Sequence, residues 1–263
     1  MQAVTGVFLD RADAEHAVET LRAAGIPDSR ITLLTPGYQQ HLSTERVSDE
    51  AEQPGMGTAV GAVVGGAAGL SGGSLLLAAA IPGVGIVTAA GLLGAAILGA
   101  AGAAVGAVAG QSLEDSMARG LPEDEIFVYE DALRKGRTVV IVLAEDLGST
   151  HQLRALMIKQ GAETVDDARE QWWIGLRSAE DEHYSRSGRK FRDDERFYRM
   201  GFEAALHART RGKEFDQVSA EMESRMEEVK QQYPDTEVAE PFTRGYQRGR
   251  EYYQSMVDRS KAA

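Results

Sequence analysis

The chain has 263 residues, 43% of them hydrophobic, enough for one large domain or two small ones with a real core. A formal net charge of -12, drawn mostly from residues 1–165 with 19 acidic against 10 basic side chains, disfavours nucleic acid, whose phosphates reward placed cations. Cysteine is absent, which excludes disulfides, thiol catalysis and thiolate metal sites.

Residues 2–9 alternate like a strand, and the chain opens Met1-Gln2-Ala3-Val4 without the basic and apolar regions of a secretory leader. The globular parts are therefore expected in the cytoplasm. Asp10 stands where a helix N-cap belongs, Ala14, Ala17, Val18, Leu21 and Ala24 recur at helical spacing, and Gly25 closes the helix. Arg30 to Thr35 form a second strand before Pro36, which completes one β-α-β unit.

Residues 37–56 are polar and read as a linker. From Gln53 through Leu113 there is no Asp, Glu, Lys or Arg, and Gly57, Gly61, Gly65, Gly69 and Gly73 stand four apart. On a helix that spacing makes a groove without side chains, into which a second backbone can pack closely. Two helical arms are predicted, from about Gly57 to Ile81 and from about Ile86 to Leu113, separated by Pro82-Gly83-Val84-Gly85. Each is long enough for a bilayer core. In the second arm Gly102, Gly106 and Gly110 repeat the step, and Gly91, Ala95, Gly99, Ala103 and Ala107 supply another small-residue row. The alternative is a hairpin buried inside a soluble assembly, because Gly and Ala are only weakly apolar. The flanking Glu50, Glu52, Glu114 and Asp115 are acidic where a cytoplasmic flank usually carries Lys or Arg.

Pro122-Glu123-Asp124-Glu125 begins a helix that Gly136 ends, and Thr138 to Ala144, continuously apolar and β-branched, reads as a central strand. A helix over about 149–160 and a short strand over 163–166 make a second β-α-β unit. Two such units predict an α+β, ferredoxin-like sandwich interrupted at its midpoint. Strands of both halves then share one sheet, so both ends of the hairpin lie on one side of any membrane.

The Pro122–Glu125 segment, Tyr129-Glu130, the strand entry Gly136-Arg137-Thr138-Val139-Val140, and Asp10-Arg11-Ala12-Asp13-Ala14-Glu15 after the first strand together resemble the bacterial heat-induced general-stress-protein domain, in versions with a glycine-zipper hairpin insertion. The resemblance covers about residues 1–167 and is one of pattern. It implies a non-enzymatic stress role.

Downstream, Trp172-Trp173-Ile174-Gly175-Leu176 is a short aromatic segment followed by a charged stretch from Ser178 to Arg196. Then Tyr198-x-x-Gly201-Phe202-x-x-Ala205 recurs as Phe242-x-x-Gly245-Tyr246-x-x-Gly249, with an amphipathic stripe from Phe215 to Tyr233 between the copies. Tyr198, Gly201, Phe202, Phe242, Gly245 and Tyr246 are expected to anchor helix packing, with a cradled ligand as the alternative. The expected division is a split ferredoxin-like domain (1–36 and 120–167), a linker (37–56), the glycine-zipper hairpin (57–113), a charged linker (168–196) and a helical module (197–263).

Other chemistry finds little footing. No phosphate-loop pattern occurs, and Gly83-x-Gly85 lacks the third glycine of a dinucleotide fingerprint. Glu180-x-x-His183 is half of a di-iron motif, without its second copy, and Glu203 and His207 form a helical pair suited to capping or a solvated surface. His16 and His151 lie near helix starts. Asp166-Asp167 and Asp193-Asp194 stand in charged stretches where tuning by burial is not expected. No catalytic residue, metal or cofactor is expected. The sequence thus points to a non-enzymatic, stress-associated inner-membrane protein with its globular parts in the cytoplasm. It would form a homo-oligomer through the hairpin, with the bilayer and copies of itself as partners and the helical module open to a protein partner. A soluble self-assembling structural protein with the hairpins in a shared core is the alternative, and a carboxylate–histidine metal site at Glu180 and His183 of the C-terminal region is a third reading.

Overall fold

The computed structural model describes residues 2–37, 76–81, 84–91, 93, 94, 97, 98, 120, 122 and 124–262. The first β-α-β unit follows from alternation and capping: β1 (Gln2–Phe8), α1 (Arg11–Ala23) and β2 (Ile31–Pro36). The Asp13 N–H donates to the Asp10 carboxylate at the helix start, and Gly25, at φ 88°, closes its end. A β-hairpin follows, β3 (Leu76–Ile81) and β4 (Gly85–Ala90). Next come α2 (Ile126–Arg134), β5 (Thr138–Ala144), α3 (Leu147–Lys159) and the two-residue β6 (Glu163–Thr164). The helical region comprises α4 (Val165–Ser185), α5 (Phe191–Ala204), α6 (Ser219–Gln232) and α7 (Ala239–Ala262).

The strands form one sheet in the order β3-β4-β2-β5-β1-β6, every neighbouring pair antiparallel. All seven residues of β5 are buried, and this explains its unbroken apolar sequence: both faces of the strand are covered. On one face Val4, Phe8, Ile31, Val140 and Val142 pack against Ala14, Ala17 and Leu21 of α1 and Leu153 and Met157 of α3. On the other, Val7, Leu34, Val139, Ile141 and Leu143 belong to a core shared with Phe127 of α2, Trp172 and Trp173 of α4, and Phe202 and Tyr253 of α5 and α7. The fold is therefore α+β, an antiparallel sheet with interleaved helices and a C-terminal helical region laid over one of its faces.

Two expectations are corrected. Residues 168–196 are not a linker, because most of them lie in α4, which buries Trp172, Trp173, Glu180 and Tyr184 while other charges, such as Glu182 paired with Arg186 at its end, are exposed. The helical arms are also overturned between Leu76 and Ala90, while Gly94, Ile97 and Leu98 of the second arm are helical. Leu76–Ile81 and Gly85–Ala90 are strands, with β4 paired to β2 from Leu33↔Ala90 to Pro36↔Val87. The open edge of β2 supplies backbone partners that outweigh the helical preference of an Ala- and Leu-rich segment. The reversal between the arms was expected, and the Val84 N–H donates to the Ile81 carbonyl there at 3.0 Å. Gly57, Gly61, Gly65, Gly69, Gly73, Gly99, Gly102, Gly106 and Gly110 lie outside the described residues, as do residues 38–56 of the expected linker. Among the described residues, no helix is long and apolar enough to cross a membrane.

Gly91 is described, and it is not a helix-association residue. It follows β4 at φ 114°, and a Cβ there would stand 2.2 Å from the Ile31 carbonyl oxygen. Glycine is needed because the backbone crosses directly over β2 in a conformation other residues rarely adopt.

Candidate functional site

The repeated aromatic-glycine segments meet each other. A Cβ on Gly201 would lie 1.9 Å from the Phe242 carbonyl oxygen, one on Gly245 would lie 1.9 Å from that of Tyr198, and one on Gly249 would lie 2.4 Å from that of Phe202. The contacts advance together along α5 and α7, so the two helices run parallel with the copies in register. Gly201-x-x-x-Ala205 faces Gly245-x-x-x-Gly249, and the missing side chains let the two backbones touch. Tyr198, Phe202, Phe242 and Tyr246 are all buried around this crossing. The Tyr246 hydroxyl donates to the carbonyls of Thr210 and Lys213, each at 3.2 Å. These aromatics therefore line no opening in which a ligand could be cradled.

Buried carboxylates tie the crossing to α4. Glu180 accepts from the Tyr198 hydroxyl at 2.8 Å and from both arms of Arg248 at 3.1 and 3.2 Å. Its role in the fold is thus an ion pair, while His183, three residues on, is exposed. Asp194 is buried, against expectation, and accepts from Arg189 and the Tyr184 hydroxyl, each at 2.7 Å. Burial works to raise its pKa, but the Arg189 and Tyr184 hydrogen bonds hold the carboxyl below the usual range. Burial pushes Tyr184 up to about 12. Glu195 takes a bidentate pair from Arg177 and the Trp173 indole N–H at 3.0 Å, and Arg177 chiefly lowers its pKa.

A second ionic contact joins the helical region to α2. Arg211 donates to Glu130 of α2 at 2.5 Å and to the Leu206 carbonyl at 3.0 Å, with side chains 3% and 6% exposed for Arg211 and Glu130. Beside them is a cavity of about 10 Å³ walled by Phe127, Trp172, Tyr253 and Met256, room for one water and for no substrate. An open depression of about 560 Å³ near α6 carries both signs of charge, with Arg209, Lys213 and Arg225 against Glu221 and Glu228. It offers no single-signed field for a ligand. On the sheet side, Tyr129 donates to Glu125 at 2.5 Å and meets the Thr5 hydroxyl at 2.9 Å, and burial raises the Glu125 carboxyl. Neither cavity is lined by Glu125.

His207 is buried and stacked on Phe127, with ring centroids 6.4 Å apart. Its Nδ1 accepts from Arg225 at 3.0 Å, since guanidinium can only donate. Burial first, then the charges of Arg225, Arg169 and Arg211, lower its pKa to about 3. Below the ordinary value of 6.5 an unfolded chain binds a proton at this residue that the folded chain refuses. Stability present above that value should therefore fall as pH drops from 6.5 toward 3, by up to about 1.4 kcal/mol per pH unit. Denaturation at pH 7 and pH 5 should show this slope reduced in His207→Gln, and an equal slope would contradict it.

Among the described residues no cluster of three His, Asp or Glu side chains is disposed to hold a metal. Glu203 pairs with Arg199, and His16 and His151 are exposed. Sequence reasoning missed Glu130 and Arg211, which are 81 residues apart and announce their pairing by no local spacing.

Fold and interior thus define an α+β protein whose buried carboxylates join helix to helix, α4 to α5 and α7, and the segment after α5 to α2. Comparison with protein-family models, curated proteins and solved structures finds no match to this chain.

Proposed function

We propose that the protein is a non-enzymatic structural protein whose copies associate through the uncharged, glycine-rich insertion. The carrying observation is where that insertion sits: it leaves the sheet after β2, re-enters it as β3 and β4, and returns beside β1, where the Ala3 N–H donates to the Gly120 carbonyl at 3.1 Å. A membrane hairpin turning between Ile81 and Gly85 would put that turn across the bilayer from β2, to which β4 is bonded. The geometry therefore favours packing of the insertion in a shared core between copies. The strand order β6-β1-β5-β2, with α1 and α3 on one face, supports a ferredoxin-like reading of the interrupted domain. The stress-associated role comes from the resemblance of residues 1–167.

The second reading is insertion into the inner membrane with the globular parts in the cytoplasm, favoured by the length of the charge-free stretch from Gln53 to Leu113. One experiment serves both. Gly65→Leu with Gly69→Leu should reduce the oligomer, measured by light scattering after size exclusion of the full chain, and carbonate extraction of membranes separates the readings. Resistance to carbonate supports the membrane form, whereas release as an assembled particle supports the shared core. An unchanged oligomer and unchanged partition would sink both.

A further inference from the structure

The two edges of the sheet are built differently. β6 is two residues long, its Glu163 pairs with Arg137, and the chain turns at once into α4. At the far side stands β3, six residues long and without charge or proline, Leu76-Leu77-Ala78-Ala79-Ala80-Ile81. Its inner edge pairs with β4 along its whole length, from Leu76↔Ala90 to Ile81↔Gly85. Among the described residues no strand lies on its outer edge. An antiparallel edge strand directs half of its N–H and C=O groups outward, and proteins usually guard such an edge with lysine, proline, a bulge or a short strand. β3 carries none of the first two and is not short.

We infer that the outer edge of β3 is the surface on which a second copy of this chain docks, strand to strand and antiparallel about a two-fold axis. The same segment on both sides is self-complementary, as a two-fold interface requires. A net charge of -12 opposes close approach of two copies elsewhere, and the stretch from Gln53 to Leu113 is where that repulsion is locally absent. Backbone pairing supplies the affinity in such strand addition, and it needs no cavity. The inference rests on the proposed self-association and gives it a location.

The test uses the full chain and its lack of cysteine. Wild type, Ala78→Lys with Ala80→Lys, and a control Ile158→Lys on the exposed face of α3 are compared by sedimentation velocity over a concentration series. In parallel, single-cysteine chains (Leu77→Cys, Ala79→Cys, and Ser255→Cys as control) are oxidised and run without reductant. The lysine pair is expected to move the protein to a smaller species at concentrations where wild type and control stay assembled, with the thermal transition retained. One of the β3 cysteines should give a covalent dimer and the Ser255 position should not. An assembled wild type whose size neither lysine changes, with no dimer from either β3 cysteine, overturns the edge and leaves self-association to another surface. A wild type that is monomeric throughout overturns self-association itself. Should the lysine pair unfold the chain, the cysteine dimers decide, since they leave the edge uncharged.

Discussion

Gly245→Ala is expected to destabilise the protein strongly, and Gly201→Ala to do the same. In an ordinary helix interior the change gains about 1 kcal/mol, because glycine is the weaker helix former. Here each new Cβ would sit 1.9 Å from a carbonyl oxygen of the opposing helix, and backbone cannot step aside as the end of a side chain can. Relief requires α5 and α7 to part, which loosens Tyr198, Phe202, Phe242 and Tyr246 together. Overpacking typically costs about 1–3 kcal/mol, and a clash with backbone on both sides of one crossing places these variants at about 3 kcal/mol or beyond. Gly175→Ala in α4 is the control, since nothing stands within 4 Å of a Cβ there; it should gain about 1 kcal/mol. Trp172 and Trp173, the chain's two tryptophans, are buried beside Phe202 and report the transition by fluorescence in urea. Equal midpoints for Gly175→Ala and Gly245→Ala would mean that the crossing is not close.

How much of this was legible depended on how local the cause was. The run Thr138–Ala144 announced a strand buried on both sides, and Asp10 and Gly25 marked the ends of α1, because propensity and tertiary need agree there. At 76–90 they disagree. Alanine and leucine favour helix, the unpaired edge of β2 favours strand, and the paired residues, from Pro36↔Val87 to Leu33↔Ala90, are 51 to 57 apart in sequence, beyond any window of periodicity. α4 was hidden by its exposed charges, although Trp172, Trp173 and Tyr184 on one side were the signal that it packs. In the helical region the repeat of aromatic and glycine positions was readable, and that the two copies would face each other was not. The ionic contacts Glu180 with Arg248 and Glu130 with Arg211 depend on which helices meet, so no spacing could have shown them.

The Glu130–Arg211 pair yields the second large effect. Arg211→Met alone should cost about 3–5 kcal/mol, because it leaves the Glu130 carboxylate buried without its cation. Glu130→Leu alone should cost a comparable amount, since Arg211 then keeps the Leu206 carbonyl and the face of Tyr253, 5.4 Å from its guanidinium carbon, but no anion. The double variant Arg211→Met with Glu130→Leu exchanges both charges for apolar groups of similar length, and should recover most of the loss. Denaturation of the four proteins closes a double-mutant cycle, and a coupling of several kcal/mol is expected because both partners are nearly without solvent. This contact is also the bond between α2, beneath the sheet, and the loop after α5. If it is what seats the helical region, the Arg211→Met chain should lose protection from proteolysis between α5 and α6 before the sheet unfolds. Additive single losses, with a double variant no better than either, would show instead that the pair contributes only as two separate packing residues, and that the apolar core around Trp172 and Phe202 alone holds the helices to the sheet.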